Sequence, residues 1–378
     1  MILKSKFPDI QESIFPKISR LANQAKATNL GQGFPNFEAD PYLFERLQHH
    51  THNGYNQYSP LAGHEKLRYE ISKSQLAIYG SQFCHETEVT VTTGATEAIF
   101  CAISSVINTG DEAIIFDPGY DSYNPNIRLN GGTPVHLNLD IANPGYDWNM
   151  VKDAINPRTK LIIINTPHNP TGLTFKKHDL DNLWDLIKDK DIYVLCDEVY
   201  QHIIFDNKKH ISPINDERFR DRTFSISSFG KSFHTTGWRL GYCLAPKPLT
   251  VEFRKIHQYI TYCSMGSTQM AIADMMEARP QYFYELGLFY QAKRDLFIKE
   301  LEKTQFKILP CEGSYFQLVD YSAYSESDDN TFCEQLISER KLAAIPISSL
   351  YQKAPKHTYI RFCFAKTDEV LLKALELF

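Results

Sequence analysis

Several apolar, strand-like segments run directly into residues that can do chemistry. The segment 223–227 is followed by Ser228-Phe-Gly-Lys231. A lysine at the end of a buried strand loses hydration, which lowers its pKa and makes its amine a usable nucleophile for a Schiff base. The segment 192–196 runs into Asp197-Glu-Val-Tyr200, and a carboxylate placed straight after a buried strand is costly unless it meets a cation. After the segment 161–165 comes Thr166-Pro-His-Asn169-Pro-Thr-Gly172; turn geometry explains the prolines and the glycine but gives no reason for an amide at Asn169. Gly94-Ala95-Thr96 follows the segment 89–93 and opens an apolar helical pattern, where backbone N–H groups and the helix dipole can make a phosphate site, although an ordinary strand-to-helix turn has the same composition. Asp117-Pro-Gly-Tyr120 sets an aromatic ring after a further strand, and Gly237-Trp-Arg239 adds a guanidinium. Taken alone, Tyr120 reads as an ordinary core or surface residue.

For these residues to meet, their strands must lie side by side. Strand-like segments at 89–93, 113–116, 134–139, 161–165, 192–196 and 223–227 alternate with helical patterns at 97–107, 143–155 and 178–188. That alternation predicts an α/β fold with a mostly parallel sheet flanked by helices, and such sheets bind ligands beyond the carboxyl ends of their strands. From about residue 280 the pattern changes to a helix over 284–302, a strand over 314–319, a helix over 331–340 and a strand over 359–364. This predicts a smaller α+β unit, with the polar stretch 320–330 as a surface loop.

A nucleotide-binding reading competes with this one. Gly230-Lys231-Ser232 after a strand has the end of a P-loop, and Asp197 has the place of a magnesium-binding acid. A P-loop needs a glycine six residues before its lysine, where the backbone wraps the phosphates; Ser225 stands there.

Together, Gly94-Ala95-Thr96, Tyr120, Asn169-Pro-Thr-Gly172, Asp197 with Tyr200, Ser228-x-x-Lys231 and Arg239 resemble the class I, fold-type I aminotransferases that use pyridoxal 5'-phosphate. The resemblance covers nearly the whole chain. It implies a large domain with a mostly parallel seven-stranded sheet, over 41–275, and a smaller α+β domain built from both chain ends, over 1–40 and 276–378. It also implies roles. Lys231 would hold the cofactor aldehyde as an imine and carry the substrate's α-proton. Asp197 would pair with the pyridine nitrogen, Asn169 and Tyr200 with the ring oxygen, and Tyr120 would stack on the ring. Gly94, Ala95, Thr96, Ser228 and Arg239 would surround the phosphate. Tyr359-Ile-Arg361-Phe-Cys-Phe-Ala-Lys366 is similar to the segment supplying an arginine for the substrate carboxylate, and Leu30-Gly-Gln-Gly33-Phe-Pro35 to the segment whose Gly33 backbone approaches that carboxylate. Asn56-Gln-Tyr58 resembles the segment that donates a tyrosine to the neighbouring subunit's phosphate, which implies a homodimer with a composite site.

Within the class, Leu30 to Phe37 and Glu312-Gly-Ser-Tyr-Phe-Gln-Leu318 look most like the branch of kynurenine aminotransferase, glutamine transaminase K and the bacterial methionine aminotransferases. That branch implies methionine or aromatic amino donors, with Phe15, Phe34 and Tyr58 as candidate pocket linings. Leu173 and Ser314 depart from residues usual in relatives. The same carbanion chemistry leaves open a cysteine-conjugate β-lyase, and a regulator that keeps the cofactor without turnover is a remoter alternative.

Composition bounds the partners. The 378 residues carry 40 Lys and Arg against 45 Asp and Glu, a net charge of −5, with no basic surplus of the kind nucleic acid requires. The N-terminus lacks the apolar run of a signal peptide, and no stretch approaches the length of a membrane span. Eight scattered cysteines, several inside apolar segments, read as reduced thiols in a cytoplasmic protein, and neither they nor the 13 histidines show metal-ligand spacing. His49-His50-Thr-His52 reads as a solvated helix end.

Overall fold

The computed structural model describes residues 4–10, 12–142 and 145–376. The extreme N-terminal residues read against a signal peptide, and the start of the expected 143–155 helical stretch, lie outside the described residues. A seven-stranded sheet is made by β1 (Val89–Thr92), β2 (Glu112–Asp117), β3 (Thr133–Asn138), β4 (Thr159–Asn165), β5 (Tyr193–Asp197), β6 (Thr223–Ser228) and β7 (Gly241–Leu244), in the order β1-β7-β6-β5-β4-β2-β3. The pairs among β6, β5, β4, β2 and β3 are parallel, while β7 runs antiparallel to both β1 and β6. Strands β2 and β6 are buried along their whole length and β4 and β5 at all but one residue each, as expected for a sheet covered by helices on both faces. Strand β7 was not foreseen: Gly-Tyr-Cys-Leu is too short to show a period, and one of its two partners, β1, lies about 150 residues earlier in the chain.

Seven helices matter here: α1 (Ile14–Ala25), α2 (Pro41–His52), α3 (Ala95–Val106), α4 (Tyr123–Leu129), α5 (Lys247–Ile260), α6 (Gly266–Ala278) and the long α7 (Tyr282–Leu301). The second, four-stranded sheet contains β8 (Lys307–Ile308), β9 (Phe316–Asp320), β10 (Ile345–Pro346) and β11 (Tyr359–Cys363), in the antiparallel order β10-β11-β9-β8. Both chain ends build this smaller α+β unit. Thr28–Asn29 pairs in parallel with Leu342–Ala343, and Ile14, Ile18, Ala22 and Leu30 share one apolar core with Phe297, Leu336 and Phe362. Among the described residues no helix is long and apolar enough to cross a membrane.

Two local expectations are corrected. The 320–330 stretch is not a free loop: Tyr321 is fully buried with its ring stacked on Phe332 at 4.1 Å, and Asp328 caps the helix Asp329–Arg340 through Thr331 N. One aromatic side chain outweighs the polar residues around it. The histidine run is not wholly solvated either, since His50 is 5% exposed and meets Asp274 at 2.7 Å. Asp274, on α6, also receives Arg46 Nε at 2.6 Å and Lys66 Nζ at 2.7 Å, joining α2 to α6.

Replacing Asp274 by Ala is expected to cost about 3 kcal/mol in urea unfolding, at the low end for breaking a buried ionic cluster because Arg46 and Lys66 keep some solvent. Although burial pushes its pKa up, bonds from Lys66, His50 and Arg46 prevail and hold the Asp274 carboxyl at about 2, below its ordinary 3.8. Its contribution is therefore complete above pH 3.8 and lost as pH falls toward 2.

Candidate active site

The carboxyl ends of β1, β2, β4, β5 and β6 open into one cavity of about 220 Å³. Its lining includes Phe15, Gly33, Ala95, Thr96, Tyr120, Asn169, Asp197, Tyr200, Ser228, Lys231, Arg239 and Arg361, so residues 346 positions apart in sequence face one space. Lys231 sits in the single helical turn Phe229–Ser232 that ends β6. Its Nζ lies 5.7 Å from the ring centres of both Tyr200 and Tyr315, and 3.4 Å from the Gly33 carbonyl oxygen. Desolvation lowers its pKa from 10.5 to about 8; Cys363 and Asp197 oppose the shift while Arg239 and Arg361 reinforce it.

Asp197 ends β5 and is 4% exposed. Burial raises its pKa from 3.8 to about 6, against the hydrogen bond donated by Tyr123 Oη to Oδ2 at 2.6 Å. Asn165, at the end of β4, joins two parts of the site: its Nδ2 donates to the Asp197 carbonyl at 2.9 Å and its Oδ1 accepts Asn169 N at 2.8 Å.

At the start of α3, Gly94 has φ +81°, and a Cβ there would come 2.7 Å from Arg239 Nη2. Glycine is required for the guanidinium to lie against the helix start. Thr96 Oγ1 is 3.2 Å from Tyr120 Oη and accepts a long bond from Arg239 Nη2 at 3.5 Å. The turn is braced from below. Glu97 Oε2 accepts Thr93 N at 2.6 Å, and Oε1 meets His257 Nδ1, whose other ring nitrogen faces the Leu61 carbonyl at 2.9 Å.

Arg361, on β11, is 1% exposed. Its Nη1 donates to Asn169 Oδ1 at 2.7 Å and Nη2 to the Gly31 carbonyl at 2.9 Å; its guanidinium lies 3.9 Å over the Phe316 ring, and among the described residues Nε has no partner. A buried cation (Arg361), a half-buried one (Lys231), the exposed Arg239 and a helix N-terminus thus surround a space able to hold two anions, with a buried acid beside them.

The chain matches the family model "Aminotransferase class I and II" over residues 25–378. It belongs to that family. Methionine aminotransferase of Escherichia coli is 44% identical over 376 residues, covering 100% of this chain and 97% of that protein. Kynurenine–oxoglutarate transaminase 1 of Mus musculus is 31% identical, covering 97% and 94%. A crystal structure from Escherichia coli, described as a methionine aminotransferase, superposes with a TM-score of 0.97 at 44% identity, covering 100% of this chain and 99% of that one. The fold is that of the fold-type I aminotransferases, and the protein is an enzyme of that class.

Within this aminotransferase, two expected residues stand apart from the cavity. Tyr58 is 87% exposed, its ring against Tyr262, and does not reach the cavity of its own chain. Phe34 is 44% exposed with its ring by Lys366 rather than in the lining. Leu173 lies in the core, and Ser314, at φ +64°, is fully buried; neither lines the cavity. Sequence reasoning missed Tyr123, Asn165, Tyr315 and the Glu97–His257 pair. Asn165 was the most accessible of these, being a polar residue at the end of an apolar strand. Tyr315 stood inside a motif already singled out, but only as a mark of the branch.

The shifted groups predict opposite pH slopes for the cofactor-free protein. Between about pH 8 and 10.5 the native chain holds fewer protons on Lys231 than the unfolded chain, so stability rises with pH, and Lys231→Met is expected to remove that rise. Between pH 3.8 and about 6 the native chain holds more on Asp197, so its contribution falls as pH rises, and Asp197→Asn is expected to remove that fall. Urea midpoints across pH measure both.

Proposed function

We propose that this aminotransferase moves the amino group of methionine, or of an aromatic amino acid, to a 2-oxo acid with the help of pyridoxal 5'-phosphate. The observation that carries the reading is the convergence of the Lys231 amine, the Asp197 carboxylate and the Arg361 fork on one cavity beside the N-terminus of α3. The donor set fits that cofactor. An amine of lowered pKa suits an aldehyde, a buried acid that makes no ion pair among the described residues suits a protonated ring nitrogen, and the glycine-shaped N-terminus with Ser228 and Arg239 suits a phosphate. When bound, pyridoxal phosphate supplies an aldehyde that holds amines and a ring that takes up the electron pair left by a departing α-proton.

The chain's own residues divide the remaining work. Asp197, oriented by Tyr123, holds a proton at the ring nitrogen. Asn169 and Tyr200 would hold the ring oxygen by hydrogen bonds, and Tyr120 would pack against the ring. Lys231, whose amine pKa burial lowers to about 8, would accept the proton of the substrate α-carbon as a general base and give it up again as a general acid. The Arg361 guanidinium keeps its bonds to Asn169 and Gly31 and turns its remaining N–H groups to the substrate carboxylate, a forked donor that lysine cannot reproduce.

Substrate class follows from the walls. Phe15, Ile99, Val199 and Phe316 are apolar, and the cations in the lining are Lys231, Arg239 and Arg361, all three occupied by the roles above. No further cation among the lining residues is left to receive a side-chain carboxylate, which supports an apolar or aromatic donor. The relatives named for methionine and kynurenine support the same reading. Tyr58, exposed beside Tyr262, supports a homodimer in which it reaches the partner's phosphate. The reading takes 41–275 as the cofactor domain and 1–40 with 276–378 as the small domain.

The holoenzyme is expected to be yellow, to bleach on addition of methionine, and to form the corresponding 2-oxo acid. Lys231→Ala is expected to lower turnover by at least about 10³-fold, the scale of losing a covalent catalyst; turnover retained in that variant would remove Lys231 from its role. Tyr58→Ala is expected to weaken cofactor retention measured by dialysis, despite its distance from its own chain's cavity. Unchanged retention would leave the composite site without support.

A further inference from the structure

Four successive backbone carbonyls, from Gly31 to Phe34, each accept a hydrogen bond from a side chain. Arg361 Nη2 donates to Gly31 O at 2.9 Å, and Lys366 Nζ donates to Gln32 O at 3.2 Å and to Phe34 O at 2.7 Å. Tyr315 Oη donates to Gly33 O at 2.6 Å, with Lys231 Nζ 3.4 Å from the same oxygen. The chemistry described above uses Lys231 and Arg361 but gives no task to Lys366 or Tyr315.

Lys366 is 3% exposed and, among the described residues, makes no ion pair. A buried ammonium without a counter-ion is costly. Its charge is met by two carbonyl dipoles of the strap and by the Phe34 ring, 5.1 Å away. Tyr315 is fully buried, its ring edge-on to Tyr200 at 5.0 Å, so its hydroxyl is aimed at Gly33 by a packed ring. The strap also lies tight on the carboxylate-binding fork: a Cβ on Gly33 would come 3.0 Å from Phe316 Cζ, and Phe316 is the ring on which the Arg361 guanidinium rests. With all four peptide planes tied, the strap has one position against that fork.

We infer that Lys366, aided by Tyr315, is a positioning residue for the substrate carboxylate, clamping the strap 31–34 beside Arg361 without touching substrate itself. The inference rests on the reading that Arg361 receives the carboxylate. It assigns a purpose to the last residue of the Arg361-Phe-Cys-Phe-Ala-Lys366 motif, and to a buried cation that would otherwise only destabilise the core.

The test compares holoenzymes of the wild type, Lys366→Met, Lys366→Arg, Tyr315→Phe and Arg361→Lys. For each, KM and kcat for methionine are measured, together with cofactor retention and the affinity for 4-methylthiobutanoate, an acid that lacks the amine and cannot react. Lys366→Met is expected to raise KM and the acid's Kd at least about tenfold, with kcat within about threefold and cofactor retention unchanged, the pattern of lost substrate binding. Lys366→Arg, which can still donate to two carbonyls, is expected to recover most of that loss. Tyr315→Phe keeps the ring and is expected to raise the same Kd by about threefold; it carries the test alone if Lys366→Met does not fold. An unmoved Kd in both Lys366→Met and Tyr315→Phe, beside a normal loss in Arg361→Lys, overturns the inference alone. So does a fall of kcat and cofactor retention in step with KM. An unmoved Kd in Arg361→Lys overturns the carboxylate assignment itself.

Discussion

Asp197 and Lys231 leave two neighbouring parallel strands and enter a space that offers them little water. Desolvation moves the acid up to about 6 and the amine down to about 8, so each is closer to losing its charge than it would be in solution. An amine able to exchange protons and an acid ready to pair with a cation both follow from this one constraint. Much of the neighbouring structure serves to make the burial tolerable. Tyr123 donates to the carboxylate, and Asn165 ties the end of β5 to the turn that carries Asn169.

The same logic governs the opposite wall. Arg361 and Lys366 are buried cations on the C-terminal part of the chain, and their charges are met by backbone carbonyls from the N-terminal strap and by the Asn169 amide oxygen. This is why the chain ends must meet. The parallel pairing of Thr28–Asn29 with Leu342–Ala343 and the core shared by α1 and β11 bring the strap to those cations. Below the start of α3, Glu97 Oε1 meets His257 Nδ1, and the other ring nitrogen faces the Leu61 carbonyl. Each wall of the cavity thus pairs a buried charge with a polar group from a different part of the fold.

What could be read without coordinates follows the range of the signals. Apolar runs leading into Asp197, Asn169 or Lys231 are local, and a parallel sheet turns each run end into a crevice position, so the strands and several site residues were legible. Tyr123 was not. It lies three residues beyond Tyr120 and nothing in its own segment distinguishes a ring that meets Asp197 from one in the core. His50 was misread because its partner Asp274 lies 224 positions away, and His257 went unread because Glu97 lies 160 positions away. Phe34 was taken for a pocket wall, whereas it lies outside the lining and its backbone carbonyl is held by Lys366.

By itself the amino-acid order determined the strand and helix periods, the chemistry available at each strand end, and the resemblance that those residues share with the aminotransferases. These depend on near neighbours, where side-chain spacing is set by backbone geometry. Only the tertiary structure decided which charges are buried and what meets them: the lowered Lys231 amine, the Tyr123 bond to Asp197, and the strap held by Lys366 and Tyr315. Burial and hydrogen bonding are properties of groups brought together across the fold, and a pKa or a fixed peptide plane belongs to that assembly rather than to any one segment.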